Sequence, residues 1–299
     1  EFIEPAENLL VFCGKLPEND TMSVIETILI PPAKPVEVRS EDQWQAHQAD
    51  AIKRLRAVSF RQVPDPVRPK VRFSRDAGGH ADLLAYRFDL DPGDGLEIRA
   101  HLTVEKLGKR PQPALVTAMR DARSPYVGGG ANKPPVPLPA CTGTVEVRGT
   151  GCTSIGEGLQ WTLRRGAVNC GYTIPGLQTL DLLAGLAVIR TQEAVEQTAV
   201  YGVGGTCVHA IYAAILDPEV TEVVLEAPPA SHEDPETPEI LGVLRIGDLP
   251  QNLALVFPRP ITFVGEIPEA YQWTVDVYER FGMGDRIRVI EKVGEWRPA

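Results

Sequence analysis

The chain has 299 residues with a formal net charge of −10, and 43% of its residues are hydrophobic and 23% are charged. This composition excludes wholesale disorder, and the length suits one large α/β domain with an N-terminal appendage. The acidic balance argues against nucleic acid or an anionic membrane as the main partner, and no run reaches the ~18 apolar residues of a membrane helix.

Residues 1–69 are predicted to form an N-terminal arm, a helix and a linker. The arm is rich in proline and β-branched residues. Its residues 9–12 are typical of a short strand, and residues 21–30 of an extended segment that wraps over a neighbouring domain or subunit. Ser40 is typical of a helix N-cap, and the apolar spacing after it predicts an amphipathic helix. A proline-rich linker then leads into the main domain, residues 70–299.

The main domain is predicted to begin with a β-hairpin and to continue with alternating strands and helices. The sequence of residues 91–95, Asp-Pro-Gly-Asp-Gly, is typical of a tight turn between two strands. This order predicts a mostly parallel sheet with an antiparallel edge and helices on both faces. The predicted strands are 83–90, 96–104, 114–119, 143–148, 199–201, 220–225, 261–264 and 286–290. A loop is predicted at 124–139, and helical segments at 40–60, 177–189, 238–255 and 270–281.

Residues 198–218 organise the domain. They start with an apolar run typical of a buried strand, pass through Gly202, Gly204 and Gly205, and continue with apolar residues at helical spacing. Such a strand, tight turn and helix can hold one side chain on a strained bend, with the next backbone amides free to bind an oxyanion. Gly204 occupies the position of that side chain, so Gly205 would supply an oxyanion amide.

Six segments of the main domain carry a family resemblance, namely 148–151 (RGTG), 159–161 (LQW), 201–205 (YGVGG), 224–229 (VLEAPP), 244–250 (LRIGDLP) and 257–260 (FPRP). They resemble those of bacterial acetyl xylan esterase-like hydrolases of the α/β-hydrolase superfamily, including the degenerate second module of two-module proteins. The resemblance covers roughly residue 83 to the C-terminus and implies an α/β-hydrolase-like three-layer sandwich. It implies the fold more firmly than any activity, because one fold hosts many functions.

The resemblance implies a serine nucleophile, an acid and a histidine base, and the nucleophile and the base are missing. Gly204 stands where the family has its serine. The acid is expected after the penultimate strand, where Glu266 lies, and the base after the last strand, where residues 291–296 (EKVGEW) contain no histidine. Acyl transfer of the serine type loses its proton shuttle without an imidazole. The expected function is therefore a catalytically inactive accessory or assembly module beside an active hydrolase domain or subunit.

Two alternatives stay open. Cys207 lies in a Gly-x-Cys-x-His sequence similar to the thiol motif of dienelactone hydrolases, which would make the chain an active carbohydrate esterase with a displaced nucleophile. His209 is near in sequence, but two positions further along a helix its side chain would point away from the thiol. That direction favours a structural role for this histidine. His232 lies in a polar loop after the next strand and is another candidate base. The second alternative is a glycan-binding module that kept the cleft and lost the chemistry.

Four positions are expected to line the relict cleft. Arg120 and Asp121 follow the strand 114–119, where relatives provide one oxyanion amide, and Gly205 would provide the other. Glu226 ends its strand at the same edge and would pair with Arg120 or with Arg148. Such an ion pair would fill the space of a former substrate.

No cofactor or metal site is predicted. The five cysteines contain no Cys-x-x-Cys pair, so a zinc site is not expected. A disulfide among Cys141, Cys152 and Cys170 stays open, because its formation depends on whether the protein is secreted.

Overall fold

The computed structural model describes residues 3–10, 15–29, 31–37, 39–78, 83–106, 111–119 and 141–299. The strands in these ranges are β1 (Lys70–Gly78), β2 (Leu83–Asp91), β3 (Ile98–Glu105), β4 (Gln112–Ala118), β5 (Cys141–Glu146), β6 (Val195–Val203), β7 (Val220–Glu226), β8 (Ile261–Val264) and β9 (Ile287–Ile290). The α-helices are α1 (Ile25–Leu29), α2 (Glu41–Val58), α3 (Glu157–Asn169), α4 (Ile174–Arg190), α5 (Thr206–Leu216), α6 (Leu249–Ala254) and α7 (Gln272–Arg280). None of these helices is long and apolar enough to span a membrane alone. A pair bent by 87°, residues 158–169 with α4, meets that test by length and composition only.

The nine strands form one sheet in the order β1-β2-β3-β5-β4-β6-β7-β8-β9. The pairs β1/β2, β2/β3 and β3/β5 are antiparallel, and all the pairs from β5 to β9 are parallel. The predicted turn joins β2 to β3, with Leu90 opposite Ile98. The predicted fold class, a mostly parallel α/β sheet with an antiparallel N-terminal hairpin, is confirmed.

The two faces of the sheet bury different amounts of apolar surface. Side chains alternate between faces along a strand, and Val116 and Val200 belong to the large core that also contains buried residues of α2, α4, α5, α6 and α7. Leu115 and Ala199 face the opposite way and belong to a small cluster completed by Trp296 and other C-terminal residues. The main core therefore lies on the face that α4 and α5 contact.

Local signals in the sequence set the ends of the main helices. Ser40 caps α2 by accepting a hydrogen bond from the Gln43 amide, as predicted, and Trp44 on α2 is fully buried in the large core. Thr173 caps α4 in the same way and is followed by Pro175 in the first turn.

The structure corrects the sequence predictions at four places. The sequence predicted no strand before the hairpin, where the structure has β1. It also predicted no helix at α3. Residues 21–30 were expected to be extended, but they contain a 3-10 turn, Met22–Val24, followed by α1. The predicted helix at 238–255 is only the 3-10 turn Val243–Arg245 and the short α6. The predicted loop at 124–139 and part of the predicted strand at 9–12 lie outside the described residues.

Candidate functional site

A sharp bend joins β6 to α5 at the carboxyl end of the sheet. Gly204 lies in this bend with φ +55°, a backbone conformation that favours glycine. Its amide donates a 2.9 Å hydrogen bond to the carbonyl oxygen of Glu226 at the end of β7. The Thr206 hydroxyl accepts from the Val203 amide at 2.8 Å and donates to the Val203 carbonyl at 3.0 Å. The bend is thus held by the neighbouring strand and by the first helical residue.

Position 204 faces open space beside an available backbone donor. A Cβ atom built on Gly204 would meet no atom of the described residues within 4 Å. Among the described residues, none accepts a hydrogen bond from the Gly205 amide. A strained bend, an outward side-chain direction and a following free amide are the backbone features of a nucleophile elbow with half of an oxyanion hole. These backbone features are present here, with glycine at position 204.

Cys207 lies just beyond the bend, with its thiol inside the protein. Its residue is fully buried, and Sγ donates to the Glu226 carbonyl oxygen at 3.4 Å. Burial raises the pKa of the thiol to about 12. Because the thiolate is the nucleophilic form, a buried thiol with a raised pKa is a poor nucleophile at neutral pH.

His209 lies in the core between two helices. It is 4% exposed, and its Nδ1 atom is 3.4 Å from Oγ1 of Thr179 on α4. Burial lowers its pKa to about 4, so the ring is neutral at pH 7. The imidazole therefore packs against α4, which is consistent with a structural role for His209.

His232 is held by residues of the core rather than by the bend. Its ring stacks on Tyr212 with centroids 5.7 Å apart, and Nε2 is 2.8 Å from the Tyr212 hydroxyl. That hydroxyl also accepts a hydrogen bond from the Asn252 amide at 3.0 Å. Burial lowers the pKa of His232 to about 4. These contacts anchor the loop after β7 to α5 and α6.

The remaining sequence candidates do not complete a triad. Glu266 is exposed in the turn after β8, and its carboxylate has no hydrogen-bond or ion-pair partner among the described residues. The residues after β9 form a 3-10 turn, Val293–Glu295, in a segment without histidine. Arg120 and Asp121 lie outside the described residues.

The predicted ion pair between Glu226 and Arg148 is wrong. The Glu226 carboxylate instead accepts a hydrogen bond from the Tyr201 hydroxyl. Arg148 donates to Asp181 at 2.7 Å and lies 2.8 Å from Asp94 in the β2–β3 turn. The reason is that Asp181 is fully buried on α4 and holds Arg148 against that helix.

The sequence predictions missed a polar cluster on β3 and β5. His101 Nε2 lies 2.7 Å from a carboxylate oxygen of Glu146, which is 2% exposed and also accepts from the Cys152 amide at 2.7 Å. Burial alone would raise the pKa of Glu146, but these hydrogen bonds outweigh burial and lower it. The alternation of polar and apolar residues along β3 was the signal that could have revealed this cluster.

The cluster does not supply a base to the bend. His101 is opposite Thr144 on β5, which is opposite Thr117 on β4, which is opposite Tyr201 on β6. Three strand spacings therefore separate His101 from Tyr201, about 14 Å at the usual interstrand distance.

The described residues contain no group of three or more His, Cys, Asp or Glu side chains that could hold a metal ion. Cys152 and Cys170 are exposed thiols outside any disulfide, and Cys207 is a buried thiol.

Solved structures of carbohydrate esterases share this architecture. A Bacteroides fragilis protein provisionally named an acetyl xylan esterase aligns with a TM-score of 0.71 at 12% identity, over 94% of this chain and 84% of that one. A Solibacter usitatus glucuronoyl esterase aligns with a TM-score of 0.58 at 12% identity, over 82% and 83%. Acetyl xylan esterase 1 of a Thermoanaerobacterium species gives 0.51 at 16% identity, over 92% and 94%. No protein-family model and no curated protein sequence matches the chain.

Proposed function

Because the chain has the α/β-hydrolase fold of acetyl xylan and glucuronoyl esterases, we propose that it is a non-catalytic member of this fold. It acts as an accessory or assembly module of a carbohydrate-active hydrolase. Fold alone does not carry this proposal, since one fold hosts many functions. The observation that carries it is Gly204, which occupies the reactive position of an otherwise complete elbow.

The described side chains around the bend support the loss of chemistry. Acyl transfer needs a nucleophile, a base within hydrogen-bond reach and an oxyanion donor. Gly205 retains a donor, but Cys207 is buried with a raised pKa, and His209 and His232 contact α4 and Tyr212 instead of the thiol. One of the three requirements therefore survives among these residues.

Ester hydrolysis by the intact chain tests the proposal. We expect 4-nitrophenyl acetate and acetylated xylan to be hydrolysed no faster than in buffer, and Cys207→Ala to change nothing. Cys170→Ala is the matched control, because Cys170 is an exposed thiol that could react with an activated ester without a catalytic site. Hydrolysis that disappears in Cys207→Ala and persists in Cys170→Ala would instead establish an esterase with a displaced thiol nucleophile.

Glycan binding is a second candidate function, favoured by the open space at Gly204. No described side chain fills this position, and no described residue accepts a hydrogen bond from the neighbouring Gly205 amide, which is available to a carbohydrate oxygen. Calorimetric titration with xylan and pectin oligosaccharides tests this function. Saturable binding that Gly204→Asn abolishes would support it, because asparagine tolerates the left-handed backbone and would occupy the space. Flat titrations with all ligands would remove it.

A further inference from the structure

The segment after β7 lies beside the bend. Residues 227–239, which we call the strap, lead from β7 towards α6, and the Pro238 ring has Cγ 3.2 Å and Cδ 3.4 Å from the Cβ position of Gly205. The strap begins at Ala227 with φ +46°, the only positive φ of a non-glycine residue in the described part of the chain. Alanine in this backbone region is strained, so contacts with neighbouring elements must hold the strap in place.

Contacts near the two ends of the strap are limited. Close to its start, the Tyr271 hydroxyl donates to the Pro229 carbonyl oxygen at 2.8 Å. At its end, Glu239 pairs with Arg164, but these side chains are 33% and 65% exposed, and pairs this exposed contribute little to stability. Between these contacts, residues 233–236 are exposed, and their described hydrogen bonds stay within the strap. The middle of the strap therefore depends on the residues that flank this exposed run.

His232 fixes the strap to two helices. Its amide donates to Oδ1 of Asp248, the N-cap of α6, at 2.8 Å, and its ring stacks on Tyr212 of α5. The Tyr212 hydroxyl accepts from Asn252, so its own hydrogen is available to Nε2 of His232, 2.8 Å away. Nε2 is therefore the acceptor in this contact, and the neutral ring carries its hydrogen on Nδ1.

A proton on His232 removes this acceptor. Protonated Nε2 is a donor that faces the Tyr212 hydroxyl, whose own hydrogen then has no acceptor among the described residues. The titratable groups that face the ring are Tyr212 on α5 and Asp248 at the start of α6. Burial lowers the pKa of His232 to about 4, and it outweighs the Asp248 carboxylate and the Pro238 carbonyl, which favour the charged ring. The contact is therefore intact at neutral pH and is lost in acid.

We propose that protonation of His232 releases the strap from α5 and α6 and opens the Gly205 side of the bend. The Thr237 hydroxyl is buried without a hydrogen-bond partner among the described residues, so the closed position carries a cost even at neutral pH. Release relieves this cost and the backbone strain at Ala227. Ligand access to the bend then depends on pH, a step that rests on the glycan-binding function proposed above, whereas the movement does not depend on what the bend binds.

Hydrogen exchange of the intact chain between pH 7 and pH 3.5, corrected for the intrinsic pH dependence of exchange, tests the release. We expect the His232 amide to lose protection about tenfold or more in acid while α5 stays protected. His232→Gln should keep the strap protected, because the glutamine carbonyl accepts from Tyr212 and does not titrate. His209→Asn is the matched control, since this other buried histidine has a pKa of about 4 but contacts α4. It should leave the response of the strap unchanged.

Tyr212→Phe gives a second test if His232→Gln fails to fold by circular dichroism. It removes the hydroxyl and should loosen the strap already at pH 7. A strap equally protected at both pH values overturns the proposal. So does a loss of protection that His232→Gln shares, which would assign the response to Asp248 or another carboxylate, or a loss that α5 shows at the same pH. Because exchange needs no ligand, flat glycan titrations combined with a strap that opens in acid would contradict the proposed glycan binding and support the movement.

Discussion

Helices α5 and α3 have similar lengths, and each follows a strand near the carboxyl end of the sheet. Every residue of α5 is buried, whereas Ala167 alone is buried among the described side chains of α3. Helix α5 packs on β6, β7 and α4, while α3 contacts the rest of the chain mainly through α4. Packing in the core therefore determines where α5 lies, whereas α3 has few buried contacts that determine its position.

The same difference explains why the bend does not depend on the side chain at position 204. The bend before α5 is required by packing, since the helix lies against β6 and the Gly204 amide bonds to β7. A side chain at position 204 would meet no atom of the described residues within 4 Å and would contribute nothing to that packing. Glycine at position 204 is therefore compatible with the fold, and the bend alone is no evidence of catalysis.

Gly202→Ala tests the packing of α5 most severely. The added Cβ would lie 2.4 Å from Cys207 Cα and 2.6 Å from its backbone nitrogen. These are backbone atoms of a buried helix, so the clash cannot be relieved by a change of rotamer. We expect a loss of more than about 4 kcal/mol of unfolding free energy, or no soluble protein. Urea unfolding measures it, and a loss below about 1 kcal/mol would show that α5 can move away from β6.

Arg148→Met tests the connection between β5 and α4, the two elements that flank α3. Its removal leaves the fully buried Asp181 carboxylate without a cationic partner. We expect destabilisation of about 3 to 4 kcal/mol, because an unpaired buried charge is costly. The double variant Arg148→Met/Asp181→Asn should recover part of the loss. Equal stabilities of the single and double variants would show that the pair does not couple these elements.

Acid should weaken the packing of α5 through His209. Burial lowers its pKa in the folded chain from 6.5 to about 4, so the unfolded chain binds more protons between these values. The stabilising contribution is complete above pH 6.5 and is lost as the pH falls to about 4, with a total of about 3 kcal/mol. Urea unfolding at pH 7 and pH 4 measures the total loss, to which His232 with its similarly lowered pKa also contributes. We expect His209→Asn to reduce it, and an unchanged pH dependence would contradict the assigned burial.

Gly204→Ala should have a smaller effect than the neighbouring change at Gly202. The new methyl group meets no atom within 4 Å, so the cost comes from the left-handed backbone at φ +55°. That cost is about 1 to 2 kcal/mol. Urea unfolding of both variants gives a direct comparison of a clash with a strained backbone. A loss at Gly204 as large as that at Gly202 would mean that position 204 faces packed atoms.

The sequence allowed prediction of those elements that the core specifies. The predicted cap at Ser40, the β2–β3 hairpin and the strand, turn and helix around Gly204 all depend on local chemistry or on apolar spacing that packing satisfies. Helix α3 escaped prediction because its apolar residues lie on two sides and so give no single apolar face. Strand β1 escaped because its residues are exposed and highly charged.

The candidate site was predictable in its backbone and less so in its side-chain contacts. Glycine spacing located the bend, and the missing histidine was readable from the sequence. The hydrogen-bond partner of Glu226 could not be predicted from the sequence. In the folded chain Tyr201 donates to Glu226, and Arg148 pairs with Asp181 instead. Pairings of this kind join distant parts of the chain, which a linear pattern does not encode.

Trp161→Ser should have the smallest effect on the stability of a single chain and thereby gives the sharpest contrast with α5. Trp161 is 64% exposed, and exposed substitutions usually change the unfolding free energy by no more than about 0.5 kcal/mol. Urea unfolding measures this change, and we expect the small value. A large loss would show that α3 is covered by its own chain, and the contrast with α5 would then disappear.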